Sequence, residues 1–402
     1  MRSLVISRWG PGRLDSGAAL RNAQNMAALA GLGPVDVMTV DPSGNIPDAE
    51  RFPGVTETGQ YVPAPPWRVP GRWLLPGPHH TIRRYTDAAL MQYLRSLSPD
   101  IYDFALVEEI ALSAYVAPLR AAGISTIFDA HNVEARLWAD IGNKDGARKL
   151  GLAALRQRMF NSKLRQAEAL AVKNADFVWA CSDVDARLME RLYQPKNGVA
   201  VVPNAINIDA YADARRIRND ADPTTPPLLV YIGSYSYKPN EIAALRLIQG
   251  ILPALRQVGM DLQLAIVGRD PTLAMQQAAA KDQSVLVTGG VASIMPYLAQ
   301  QSIAVMPITI GGGTRLKVLE AFAAGCPVIS TAKGAEGIDV QHGENILIAE
   351  SDTEFVSEIL RLVRDPAARA TLGLCGFETV SRGYSWEAAA GAVRASLGEV
   401  TA

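Results

Sequence analysis

A chain of 402 residues with 49% apolar and 20% charged side chains is too long for a single hydrophobic core and too apolar to remain disordered. Its 39 Lys and Arg against 40 Asp and Glu leave a net charge of −1, which removes the electrostatic case for a nucleic-acid partner. Cys181, Cys326 and Cys375 lie far apart in apolar or small-residue contexts, which excludes a disulfide framework and reads as three buried thiols in a reducing compartment.

The chain opens with a predicted strand, Leu4 to Ser7, whose apolar run stops at Arg8. It is too short for a secretory signal, and no segment reaches the roughly 18 apolar residues of a membrane span. The expectation is a soluble cytoplasmic protein, with peripheral contact at the inner face of a membrane left open. Arg8-Trp9-Gly10-Pro11-Gly12-Arg13-Leu14-Asp15-Ser16-Gly17 then turns into a helix from about Ala18. Gly12 and Gly17 permit close backbone approach to a ligand, and Asp15 is a candidate base. The spacing does not fit G-x-G-x-x-G, so a dinucleotide site is set aside.

Further strands are predicted at Val35 to Val40, Phe104 to Val107, Thr126 to Asp129, Phe177 to Cys181 and Val199 to Val202. Between the first two of these, Pro42 to Pro78 holds nine prolines with Trp67 and Trp73, which excludes a regular helix or central strand. It reads as a surface excursion, or as a ligand-binding or membrane-touching flap whose tryptophans stand with Arg68, Arg72, Arg83 and Arg84. Glu108 and Glu109 end one strand, either as a solvated loop edge or reaching a ligand. His131 follows the strand ending at Asp129, where it can hydrogen-bond a substrate hydroxyl or move a proton, with Asp129 and Asn132 orienting it or simply ending the strand. Residues 148–173 carry Arg148, Lys149, Arg156, Arg158, Lys163, Arg165 and Lys173 on a long helical pattern, a solvated face or a lipid-surface stripe.

Residues 206–227 run from a charged stretch into Asp222-Pro223-Thr224-Thr225-Pro226-Pro227 and lack the periodicity of a core element, so a linker is placed there. Beyond it, strands are predicted at Leu228 to Ile232, Leu262 to Val267, Val285 to Thr288, Ile303 to Pro307, Val328 to Ser330 and Ile346 to Ala349. Alternating strands and helices throughout predict two doubly wound Rossmann-like domains, 1–205 and 228–383, facing across a cleft. A last helix, within 384–402, is expected to pack back on the first domain.

The stretch 303–330 is the most informative. Gly311, Gly312 and Gly313 leave the backbone free to approach a ligand, Thr314 can cap a helix ending at Gly325, and the amides and helix dipole face one point. Arg315 and Lys317 place two cations where a helix start favours anions. Glu320, three residues after Lys317, can pair with it or accept from ligand hydroxyls.

Gly311 to Val328 resembles the donor-binding motif of retaining glycosyltransferases with the two-Rossmann-domain (GT-B) fold, group 1 or family 4-like. Tyr231-Ile232-Gly233-Ser234, Lys238-Pro239-Asn240, Ile266-Val267-Gly268 and Gly334-Ala335-Glu336-Gly337 are similar to that family's supporting segments. So are Asp129 to Glu134, Cys181-Ser182-Asp183 and Val202 to Ala205 in the first half. The resemblance implies hexosyl transfer from a nucleotide diphosphate sugar to a glycan or glycolipid acceptor, with retention, no cofactor and no metal, in surface polysaccharide or glycolipid assembly. Gly311 to Thr314, Arg315, Lys317, Gly233 and Lys238 would hold the donor, and Glu320 would bind its ribose. The family's earlier paired glutamate falls at Gly312. A non-hydrolysing nucleotide-sugar epimerase and a non-catalytic sugar-nucleotide-binding protein are the alternatives.

Overall fold

A computed structural model of the chain describes residues 1–11, 16–43, 53–64, 77–138, 151–311 and 315–398. They divide into two compact units, Met1–Asn204 with Ala389–Ala402, and Ala205–Ala388.

The first unit is built on a seven-stranded parallel sheet: β1 (Ser3–Ser7), β2 (Val35–Val40), β3 (Val55–Tyr61), β4 (Phe104–Glu108), β5 (Thr126–Ala130), β6 (Phe177–Ala180) and β7 (Ala200–Val201). Their order is β3-β2-β1-β4-β5-β6-β7. Every residue of β1, β2, β4 and β5 is buried, as expected of strands covered on both faces. Successive side chains serve opposite layers: Leu4 and Ile6 join one apolar cluster with Ala105, Val107 and Phe128, while Val5 joins the other with Leu106 and Ile127. The strand order reverses between β1 and β4, so the loops leaving their carboxyl ends stand at the switch point where open parallel sheets bind ligands.

Three expectations are corrected here. The proline-rich stretch is not only a surface excursion, because Val55–Tyr61 adds β3 at the sheet edge, with a register shift opposite Val37 and Met38. Edge placement is what flanking prolines allow, since one side of the strand needs no ladder donors. Residues 206–227 are no free linker: a 3₁₀ turn, Ile208–Tyr211, and a helix, Ala212–Asp220, belong to the second unit. Tyr211 and Ala214 enter its core, and buried Arg218 donates to the carbonyls of Gly325 (2.9 Å), Gln300 (2.5 Å) and Ser302. An arginine used as a core crosslink reads as surface in a hydropathy pattern, which is why the segment looked uncored. Finally, Cys181 and Cys326 are buried but Cys375 is partly exposed.

The second unit carries a six-stranded parallel sheet, β8 (Leu229–Ile232), β9 (Leu264–Val267), β10 (Val285–Val287), β11 (Ile303–Met306), β12 (Val328–Ser330) and β13 (Leu347–Ile348), in the order β10-β9-β8-β11-β12-β13. Its reversal falls between β8 and β11. The final helix, Trp386–Gly398, passes from one unit to the other, and Val393 and Leu397 pack in the first unit's cluster with Val5, Met26 and Trp179.

Candidate active site

In the second unit, β11 leads to Gly311 and the helix Leu316–Ala323. Gly311 has φ +128°, a conformation that favours glycine, and a side chain there would meet the Arg315 guanidinium at 2.8 Å, which would have to shift aside. Arg315, not Thr314, occupies the N-cap position, because its φ −83° and ψ 84° are not helical. Gly325, at φ +66°, closes the far end as a C-terminal glycine does. Gly312, Gly313 and Thr314 lie outside the described residues, as do Gly12 and Asp15.

Arg315 is largely buried and its guanidinium reaches the Lys333 carbonyl at 3.4 Å. Lys317 turns toward β8 and the helix Lys238–Arg246. Its ammonium donates to Asn240 Oδ1 at 2.6 Å and Tyr231 Oη at 3.2 Å, and lies 4.7 Å from the Tyr231 ring centroid. Asn240 is itself fixed, donating to the Ser234 carbonyl at 2.9 Å and accepting from Tyr231 at 3.0 Å. Burial, and then the Arg315 charge, push the Lys317 pKa down to about 7. No anion within 4.0 Å satisfies Lys317 among the described residues. Glu320 instead accepts from Tyr211 Oη at 3.2 Å, and burial raises its pKa to about 7 against that hydrogen bond and the nearby lysine. Lys238 opens a helix rather than sitting in a loop, and its ammonium bonds Glu241 at 2.5 Å. Gly233 packs against Asn240, where a side chain would lie 3.0 Å from its amide.

In the first unit, Gly17 is not in the loop but begins the helix Gly17–Ala30, with Ser16 as its N-cap. That helix delivers Arg21 and Asn25 to the sheet. Arg21 grips Asp129 through two bonds of 2.7 and 2.5 Å and also donates to the Val202 carbonyl and Asn204. Asn25 donates to Asp129 at 3.0 Å and Glu108 at 3.2 Å. His131 Nε2 is 2.9 Å from Glu108 and 3.3 Å from Asp129. Glu108 and Asp129 are therefore buried partners of the histidine, not strand ends at a solvated edge. Burial opposes the imidazolium, but the hydrogen bonds to Asp129 and Glu108 outweigh it and raise the His131 pKa to about 10. Burial and the Asp129 charge lift Glu108 to about 7, whereas burial at Asp129 is overcome by Arg21 and its pKa falls well below the carboxylate range. The three side chains offer donor atoms within 4.8 Å of one another, but every carboxylate oxygen already accepts an N–H, so the cluster is a satisfied network and a poor fit for a cation.

Arg21, Asn25, Tyr231 and Asn240 were not singled out from sequence as site residues. Arg21, Asn22, Gln24 and Asn25 cluster in an otherwise Ala- and Leu-rich helix, and all four are buried. That clustering was the available signal.

Each unit thus has a parallel sheet whose reversal point carries charged, fixed side chains, the two-domain Rossmann-like architecture of GT-B glycosyltransferases. The chain belongs to the group 1 glycosyltransferases. Residues 226–365 match the family model "Glycosyl transferases group 1", and residues 16–205 match "Glycosyl transferase 4-like domain". A GDP-mannose-dependent monoacylated alpha-(1-6)-phosphatidylinositol monomannoside mannosyltransferase of Corynebacterium glutamicum is 32% identical over 147 residues, 34% of this chain and 39% of that one. A GDP-mannose-dependent alpha-(1-6)-phosphatidylinositol monomannoside mannosyltransferase of Mycolicibacterium smegmatis is 26% identical over 231 residues, 53% of this chain and 59% of that one. The aligned part thus spans well under two thirds of these curated relatives. The sucrose-phosphate synthase of Thermosynechococcus elongatus shares the fold with a TM-score of 0.74, at 19% identity, over 100% of this chain and 99% of that one. Anabaena HepE in complex with UDP-glucose follows at 0.65 and 15%, over 99% of each chain. Among the described residues, no helix is long and apolar enough to cross a membrane.

Proposed function

We propose that this protein transfers a hexosyl group from a nucleotide diphosphate sugar to a glycan or glycolipid acceptor, with retained configuration and without a metal, in surface polysaccharide or glycolipid assembly. The observation that carries this reading is Lys317, a lysine with no anion within 4.0 Å among the described residues, fixed by Asn240 and Tyr231 beside Arg315 and following the positive-φ Gly311. A departing diphosphate gathers negative charge as the glycosidic bond breaks. Preorganised cations at that point stabilise the transition state more than the ground state. Glu320 is the candidate for the ribose hydroxyls. His131 at a pKa of about 10 remains an imidazolium at neutral pH. Its role here is therefore a charged hydrogen-bond donor rather than a proton shuttle. The mannosyltransferase activities of the partial relatives make GDP-mannose the first donor to test, and their phosphatidylinositol mannoside acceptors support a glycolipid acceptor.

Calorimetric titration with GDP, GDP-mannose, UDP and UDP-glucose, with and without chelator, tests the donor site. One nucleotide series is expected to bind irrespective of chelator. Lys317→Ala and Arg315→Ala should each cost about 2 kcal/mol or more in kcat/KM once an acceptor is in hand. Binding of none of the four, or near-normal turnover in both variants, overturns the assignment. The anomeric configuration of the product, read from its NMR coupling constants, decides retention.

A further inference from the structure

Tyr211 closes the 3₁₀ turn Ile208–Tyr211, and its ring is buried in the second unit's apolar core. A phenylalanine would fill that space equally well and leave no polar atom to bury. A hydroxyl in a core costs free energy unless it is bonded, so the phenol is explained by its bond. That bond is its donation to Glu320 Oε1 at 3.2 Å, across 109 positions of sequence. Burial, and then the Glu320 charge, push the Tyr211 pKa up, so the group remains a donor throughout the neutral range. The same bond favours the ionised carboxylate, the better acceptor, against the burial that raises the Glu320 pKa.

Both partners are held in place. Ile206 donates its amide to the Tyr384 carbonyl at 2.8 Å, and Asn207 caps the turn by accepting from the Asp209 amide at 3.2 Å. Arg215 lies 4.3 Å from the Phe377 ring centroid, and its Nη1 donates to the Ile208 carbonyl at 3.0 Å and to the Ala323 carbonyl at 2.5 Å. The first carbonyl belongs to the turn that carries Tyr211. The second belongs to the helix that carries Glu320, just beyond it. One guanidinium thus joins the two elements beside the tyrosine–glutamate bond. Tyr211 is the sole hydrogen-bond partner of the Glu320 side chain among the described residues, Lys317 acting on it only as a nearby charge. Glu320 keeps part of its surface, and its Oε2 accepts no hydrogen bond among those residues.

We propose that Tyr211 is a positioning residue for the nucleotide's ribose: by occupying Glu320 Oε1 it fixes how the carboxylate faces and leaves Oε2 to accept from a ribose hydroxyl. Without the phenol the glutamate samples other rotamers, and ribose binding then has to offset an ordering that Tyr211 supplies in advance. The role rests on the reading of Glu320 as the ribose residue.

Calorimetric titration of wild type, Tyr211→Phe, Glu320→Ala and the double variant with GDP, UDP and their 2′,3′-dideoxy forms tests it, with the melting midpoint measured on the same samples. The dideoxy forms keep base and diphosphate and lack only the ribose hydroxyls, so the ratio of the two affinities isolates the ribose contribution. Wild type is expected to prefer the ribonucleotide of the series it binds by about tenfold, the scale of a hydrogen bond to a charged group. Tyr211→Phe should narrow that preference to about threefold or less, with dideoxynucleotide affinity kept within about twofold. Adding it to Glu320→Ala should change the ratio no further, because the phenol acts through the carboxylate. An unchanged preference in Tyr211→Phe, or equal weakening of both nucleotide forms together with a fall in melting midpoint, would reduce Tyr211 to packing and overturn the role while leaving the donor site standing. Equal affinity of wild type for the two forms would remove Glu320 from the ribose, and the positioning role with it. Binding of no nucleotide at all by folded wild type would sink the transferase reading itself and everything that rests on it.

Discussion

Lys317 is held close to its uncharged form until something anionic arrives. Burial and Arg315 depress its pKa to about 7 from an ordinary 10.5, so near pH 8 about nine-tenths of the free protein carries a neutral amine. A folded pKa below the unfolded one means that the group's contribution to stability is present above 10.5 and is lost as pH falls toward 7. A diphosphate beside it reverses the balance and returns the pKa toward its ordinary range. Nucleotide binding at pH 8 should therefore take up close to one proton, roughly 0.9 per site by that arithmetic. Calorimetry in buffers of different ionisation enthalpy measures this directly, and Lys317→Met should abolish the uptake. Binding with no proton linkage in wild type would show that the diphosphate does not meet this amine. The cationic pair and Glu320 were legible in the sequence, because spacing along one helix fixes their neighbourhood. Their partners were not: Asn240 and Tyr231 come from 77 and 86 positions away, and only the sheet order brings them to the lysine.

At the scale of elements, the second unit's ligand face depends on how closely two strand ends approach. Gly268 follows β9 with φ +136°, and a methyl placed on it would lie 1.8 Å from the carbonyl oxygen of Gly233, which follows β8. Gly233 in turn leaves room for Asn240, the residue that fixes Lys317. Gly268→Ala therefore has to separate the two strand ends, and should cost about 3 kcal/mol of stability together with nucleotide affinity. Urea denaturation followed by nucleotide titration checks both, and a variant that keeps its midpoint would mean the turn relaxes without moving β8. Apolar runs placed twelve of the thirteen strands among the described residues, since buried parallel strands are continuous apolar segments. The one missed, β3, is an edge strand of alternating exposure among prolines. The Ala212–Asp220 helix was missed for a different reason, a buried arginine bonded to carbonyls standing where a leucine would have completed the pattern.

At the scale of the whole chain, sequence order and structural membership part company. The chain leaves the first unit at Asn204, builds the second, and returns at Ala389 within a single helix. Val393 and Leu397 are almost wholly buried there, against Val5, Met26, Leu106, Ile127 and Trp179. The turns of this helix are thus core material for strands laid down much earlier in the chain, among them β1 and β4, which carry Arg8 and Glu108 at their ends. Leu397→Ala should destabilise by roughly 2–5 kcal/mol, as truncation of a buried leucine does. Because the loss falls on one unit, two-state unfolding of the whole chain is not the right measure. Hydrogen exchange resolved by strand is. Protection should fall in β1, β4 and β5 and stay unchanged in β8 and β11, although the substitution lies after the second unit in sequence. Equal loss in both sheets would instead mean that the helix stabilises the molecule as one cooperative block, and loss confined to β8 and β11 would place its apolar face in the second unit.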